Sequence, residues 1–312
     1  MRPIDRLRSA ASSRRRSSGD GADGPGGRVD HDTELAGLDA LDRPLAAHPG
    51  LARRTWQGLW PKLAAVGIAV LAWQLVVWSG WKPEYALPGP GAVFGTLVEE
   101  VNEAGLQEAI LITLRRGIIG FVLAVVIGIL LALAVVRFKP LRTAIGALIS
   151  GIQTMPSIAW FPLAILLFQL TEQAILFVVI LGAAPSIANG LISGVDQIPR
   201  VLLRAANVMG ARGIDFYRHV LLPAALPAFV GGLKQGWAFA WRSLMAGELL
   251  VIIAGQPSIG TKLAFSRELS DAEGLLATMV VILVIGIVID SVFFGTVERS
   301  VRRRWGLVEE AA

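Results

Sequence analysis

The chain has 312 residues, of which 54% are hydrophobic and 17% charged, with a mean hydropathy of +0.60 and a formal net charge of +5. Soluble domains carry about 25% charged residues, so these charges are too few to clothe a soluble globule of this size, and the chain reads as a polytopic membrane protein. The lack of cysteine excludes disulfides, thiolate metal sites and cysteine nucleophiles; the scattered His31, His48 and His219 suggest no metal cluster; and the basic excess marks membrane loops rather than nucleic-acid binding.

Residues 1–58 hold 10 of the 29 Lys/Arg and 8 of the 24 Asp/Glu, together with Arg14-Arg15-Arg16 and Gly24-Pro25-Gly26-Gly27. Such a stretch cannot bury enough apolar area to offset its conformational entropy, which predicts a disordered cytoplasmic tail able to touch anionic lipid. From residue 63 the pattern changes. Residues 63–81 run without a charge between Lys62 and Lys82, and about 20 apolar residues cross a bilayer as a helix. Further uncharged runs predict helix 2 over 117–136, helix 3 over 144–170, helix 4 over 174–195 and helix 6 over 274–297, the last interrupted only by Asp290.

Helix 5, over 226–254, contains Lys234, Arg242 and Glu248. An ionisable residue in mid-span costs roughly 2.5–3.5 kcal/mol on insertion scales, so it faces a bundle interior or a wet cavity and marks a place to look for function. The alternative is a soluble amphipathic helix. The joints between helices 2 and 3 (Arg137, Lys139, Arg142) and between 4 and 5 (Arg200, Arg204, Arg212, Arg218) are basic, as is the stretch after helix 6 (Arg299, Arg302, Arg303, Arg304). The positive-inside rule makes all three cytoplasmic, which places six helices with both termini inside. Arg115-Arg116 is the exception and is expected to snorkel to the outer interface from an amphipathic stretch over 92–116.

The loop between helices 4 and 5 alternates apolar and polar residues as an amphipathic helix does, is broken at Gly210 and Gly213, and resumes as a second short helix over 214–222 before Pro223 and Pro227. A hairpin of this kind suits either docking on a partner or lying flat on the membrane. Arg204-Ala205-Ala206-x-x-x-Gly210, then nine residues, then Val220-x-Leu222-Pro223, resembles the EAA loop of bacterial ABC importer permeases, Glu-Ala-Ala-x-x-x-Gly followed after nine residues by Ile-x-Leu-Pro. Arg204 stands where the family usually has Glu, and Val220 where it has Ile. Thr113-Leu114-x-Arg116, Met155-Pro156-x-x-Ala159-x-x-Pro162-Leu163, Gly232-Leu233-Lys234, Trp241 with Ala246-x-Glu248, and Glu298-Arg299 with Trp305 are similar to the nitrate, taurine and aliphatic-sulfonate permeases.

The resemblance implies an all-α, six-helix permease of the type I (MetI-like) ABC importer architecture over residues 59–306, with a coupling loop at about 196–224 and a C-terminal tail at 307–312. It implies a bacterial inner-membrane protein with no chemistry of its own: ATP and Mg belong to a cytoplasmic ATPase partner. A second permease copy and an extracytoplasmic substrate-binding protein complete the assembly it implies, in contact with membrane lipid. Arg204, Ala205, Ala206, Gly210, Val220, Leu222 and Pro223 would couple to the ATPase. Arg242, Glu248, Gln153, Pro156 and Pro162 are the candidates for the translocation path. Arg242 is suited to a sulfonate or nitrate, or to pairing with Glu248 or a residue of another helix; Glu248 would repel an anion and is expected to be structural or gating; and Pro156 and Pro162 would kink helix 3. Gly231, Gly232 and Gly236 are small residues that permit tight helix packing, at a permease–permease interface or within one subunit. The alternatives are a permease of the same fold for an uncharged or cationic nutrient such as a vitamin precursor, and an ion-coupled secondary transporter with Glu248 as its acid.

Overall fold

The computed structural model of the chain describes residues 51–305, and all regular structure among them is helical. By its contacts the chain divides into Met1–Ala65 and Val66–Ala312. Helix α1 is Leu51–Trp78, so residues 51–58, expected in the tail, are already helical. Leu51, Ala52, Arg53 and Arg54 are good helix formers, and the helix runs on through Gly58 and Pro61. The remainder of the tail and residues 307–312 lie outside the described residues.

Helix α2 (Pro90–Val101) is followed by a break at Asn102 and Glu103 and then by α3 (Ala104–Arg137), where one amphipathic stretch was expected. Expected helix 3 is the clearest departure. It is divided into α4 (Lys139–Thr154), a 3-10 turn (Ser157–Trp160) and α5 (Phe161–Phe168), with a bend of 99° between its two arms. The sequence explains the break. Pro156 disfavours helical backbone at the residue before it, and Met155 adopts an extended ψ of 133°. Pro162 occupies the first turn of α5, where its missing N–H costs nothing. The two prolines therefore begin helical segments and do not kink a continuous one.

Next come α6 (Glu172–Asp196), α7 (Arg200–Val208), α8 (Gly213–Phe216) with a π-helical turn over Tyr217–Leu221, and α9 (Leu222–Leu250). Helix α10 (Ile259–Glu268) is capped by the Ser258 hydroxyl, which accepts from the Thr261 N–H at 3.2 Å. Helix α11 (Ala272–Val288) is capped by Asp271, and passes through a π-helical turn (Ile289–Phe294) into α12 (Gly295–Arg304). Among the described residues five helical runs are long and apolar enough to cross a bilayer, and a sixth is made if the bent pair counts as one span.

Helix α6 is the centre: 56% of its most apolar window is buried, against 28% or less in the other spans. It packs on α3 and α9 through small residues, because in lipid helices associate by close van der Waals approach rather than by a hydrophobic drive. A Cβ on Gly190 would lie 2.5 Å from the Gly232 Cα, and one on Gly236 would lie 2.6 Å from the Ile187 side chain. Gly232 and Gly236 thus serve packing within the subunit, while Gly231 faces open space. Ile175, Val178, Ala183, Ile187, Ala240 and Leu244 fill the core around these contacts.

Candidate functional site

The two ends of α9 carry different chemistry. At its last turn the Glu248 carboxylate is fully buried and accepts from Thr113 Oγ1 at 2.8 Å, Arg116 Nη1 at 3.2 Å and the Gly260 N–H at 3.2 Å. Arg116 also donates from Nε to Glu172 at 3.0 Å and from Nη2 to Gln256 at 2.5 Å. Thr113 Oγ1 in turn accepts from the Ile259 N–H at 3.0 Å. One network therefore ties α3, α6, α9 and the start of α10. A Cβ on Gly260 would run into the Glu248 side chain, so a glycine is needed for the backbone to come this close.

This arrangement bears on the expectations for Arg116 and Glu248. Arg116 is 2% exposed and does not snorkel, because the buried Glu248, the half-buried Glu172 and the Gln256 amide take the place of its water. Arg115, one residue earlier and a hundred degrees round the helix, is the exposed one. Glu248 pairs with Arg116 rather than Arg242, and it lines none of the cavity where the other candidates meet.

That cavity, of about 320 Å³, lies between the bend over residues 152–160, Leu181 and Gly182 of α6, and Phe239 and Arg242 of α9. Gln153, Pro156 and Arg242 all line it; Pro162 does not. Gln153 donates to Ser186 Oγ at 2.9 Å and accepts from Asn189 Nδ2 at 3.0 Å, which fixes its amide at the wall. Arg242 lies over the Phe239 ring, 4.7 Å from its centroid, and Nε donates to the Ala238 carbonyl at 3.1 Å. Among the described residues no carboxylate lies within 4 Å of it. Lys234, two turns earlier, is different: it reaches Asp290 at 3.6 Å and Glu298 at 3.7 Å across to the last helical run. Arg242 also borders a larger apolar cleft of about 1030 Å³ walled by Trp237, Trp241 and Met279.

At the start of α9 the hairpin has the expected helix and glycine turn, but the second helix does not end before Pro223: it runs on through a π-helical turn into α9. Gly210 and Gly213 have φ of +81° and +58°, the left-handed conformation that a β-carbon strains. Arg204 and Ala205 are exposed on α7, whereas Ala206 is 1% exposed and turned into the protein. Val220 and Pro223 are half-buried and Leu222 is exposed at the passage into α9. Trp305 Nε1 donates to the Pro223 carbonyl at 2.9 Å, and Arg142 pairs with Asp196 just before the hairpin.

Residues 124–303 match the family model of the binding-protein-dependent transport system inner membrane component. The chain belongs to this family. An ABC transporter permease protein of Methanocaldococcus jannaschii is 30% identical over 73% of this chain and 86% of its own length. The nitrate import permease NrtB of Synechococcus elongatus is 29% identical over 61% of this chain and 71% of its own. The bicarbonate transport system permease CmpB of the same organism is 25% identical over 76% and 88%. A chain of the MetNI methionine ABC transporter superposes with a TM-score of 0.50 at 23% identity, covering 63% of this chain and 94% of that one, which is a likeness of fold. The protein is thus a membrane-spanning ABC importer permease of MetI-like fold, and not itself an enzyme.

In this permease the signal for the Arg116–Glu248 network lay in two motifs, Thr113-Leu114-x-Arg116 and Ala246-x-Glu248. Thr113 and Arg116 are three apart and share a helix face. Nothing in the spacing tells that residues 132 apart are partners.

Proposed function

We propose that this permease conducts a small anion, such as nitrate, taurine or an aliphatic sulfonate, along a path lined by Gln153, the bend at Pro156 and Arg242, and completed by a second copy of the chain. The observation that carries the reading is the contrast among its membrane cations. Arg116 and Lys234 are each matched by two carboxylates, while Arg242 has none within 4 Å among the described residues and lines a cavity without one. A planar multi-donor cation favours trigonal and sulfonate oxyanions. The names of the nitrate and bicarbonate permeases among the relatives support the same chemical class.

In this reading the chain lies in a bacterial inner membrane with both termini cytoplasmic, as the basic joints favour. An extracytoplasmic binding protein delivers the anion, and the hairpin over 200–222 takes up the motion of a cytoplasmic ATPase that holds ATP and Mg. The test is ATP-driven uptake of labelled nitrate and taurine into proteoliposomes holding the assembled importer. Losing one charge-assisted contact, worth about 1.5–3 kcal/mol, should lower uptake about tenfold or more in Arg242→Ala, with part retained in Arg242→Lys. Undiminished uptake in Arg242→Ala, or competition by neutral or cationic solutes alone, would overturn the reading.

A further inference from the structure

The hairpin exposes a face that the fold itself does not use. Helix α7 turns Ala206 inward, and Val201, Arg204, Ala205 and Val208 follow one another on its outer face at helical spacing. Met209 and Ile214 continue the face around the Gly210 turn, and Val208, Met209 and Ile214 are 88%, 79% and 83% exposed. Four arginines, Arg200, Arg204, Arg212 and Arg218, frame these side chains and are all exposed. The hairpin's single acid, Asp215, lies beside His219, and among the described residues no acid lies within 4 Å of any of the four arginines.

An apolar strip framed by positive charge fits an anionic lipid surface or an acidic groove on a protein, and the length of the helices decides between them. The run Gly213–Leu250 has 38 residues. At about 1.5 Å per residue it spans ~57 Å, against about 30 Å of hydrocarbon. Asp215, Arg218 and His219 cannot sit in hydrocarbon, so the hairpin end of the run, and the exposed face with it, stands outside the lipid tails. The base is braced upright by the Trp305–Pro223 hydrogen bond and the Lys234–Glu298 pair to the last helical run. A protein groove is the occupant these observations favour.

We infer that the importer's ATPase receives this hairpin in a groove with an apolar floor and a carboxylate rim, one carboxylate facing Arg204, so that the interface runs positive on the permease and negative on the ATPase. This rests on the reading above that the hairpin meets the ATPase, and deepens it. Position 204 is where the EAA pattern carries Glu, so the polarity of this contact is reversed. The reversal makes the pair matched and exclusive, because an ATPase with a basic rim would meet like charge at Arg204.

The test uses the detergent-purified complex of the full chain with its Walker-motif ATPase, measuring ATPase retained against salt. Arg204→Lys should retain the ATPase, Arg204→Glu should retain at least tenfold less, and retention by the unaltered chain should fall as salt rises. Replacing one rim Asp or Glu of the ATPase by Lys should restore binding to Arg204→Glu. Retention by Arg204→Glu equal to or above the unaltered chain overturns the reversed polarity. Val208→Asp separates the two ideas: if it releases the ATPase while Arg204→Glu does not, docking stands and the polarity falls. If neither variant releases it, the docking reading itself fails.

Discussion

Arg116 and Arg242 are arginines on neighbouring helices of one bundle, and their surroundings are opposites. Arg116 is buried and paired with the buried Glu248, and its other donors go to the half-buried Glu172 and the exposed Gln256. Arg242 rests on an aromatic ring at a cavity wall and has no carboxylate in reach among the described residues. The difference teaches which membrane charge is architecture and which is available to a solute. A charge that the protein has already neutralised holds helices together, and one without a counter-ion at a cavity wall is the one the proposed anion path uses.

The sharpest way to break this comparison is to strip the buried pair. Glu248→Ala leaves Arg116 buried and short of a partner, a loss of about 3–5 kcal/mol, and should sharply lower the yield of folded, monodisperse protein in detergent. Arg116→Met with Glu248→Leu removes both charges and should recover much of that loss; equal damage in single and double variants would show that the pair is not the source. Arg242→Ala should leave thermal unfolding within about 0.5 kcal/mol of the unaltered protein while uptake falls, which is the reverse pattern. Next in size is Gly232→Val. Its Cβ would meet the Gly190 backbone at 2.6 Å, and forcing α6 and α9 apart should cost about 1–3 kcal/mol, read as a lowered unfolding midpoint.

Gly210→Trp sharpens the contrast at the other end of α9. No atom lies within 4 Å of a Cβ there, so the cost is the strain of φ +81°, about 1–2 kcal/mol, and insertion should survive while ATP-driven uptake is lost. Normal uptake by this variant would remove the hairpin from the coupling path. The smallest effect is expected of Trp305→Phe, which deletes one hydrogen bond to Pro223, worth about 0.5–1.5 kcal/mol, and should loosen the hairpin in hydrogen exchange more than it lowers global stability.

Much of the fold was legible along the chain. Long uncharged runs, basic joints and the glycine-broken hairpin each report a local constraint: backbone groups in lipid must be satisfied within one helix, and left-handed turns need glycine. The bend in expected helix 3 was also present in principle, since Pro156 disfavours helical backbone at Met155, yet an uninterrupted apolar run conceals it. The site was legible in part. Gln153, Pro156 and Arg242 were identified one by one for their polarity, charge or backbone effect and do line one cavity, whereas Glu248 and Pro162 were chosen on the same grounds and lie elsewhere.

By itself, then, the sequence determined that this is a helical membrane permease, where its spans run apart from the broken third, and that helix 5 carries charges in need of an explanation. Only the tertiary structure decided which of those charges are answered. Periodicity says which face of a helix a residue occupies, but the partner across that face comes from the register of another helix. That register is set here by contacts such as Gly190 on Gly232, over which no residue acts alone.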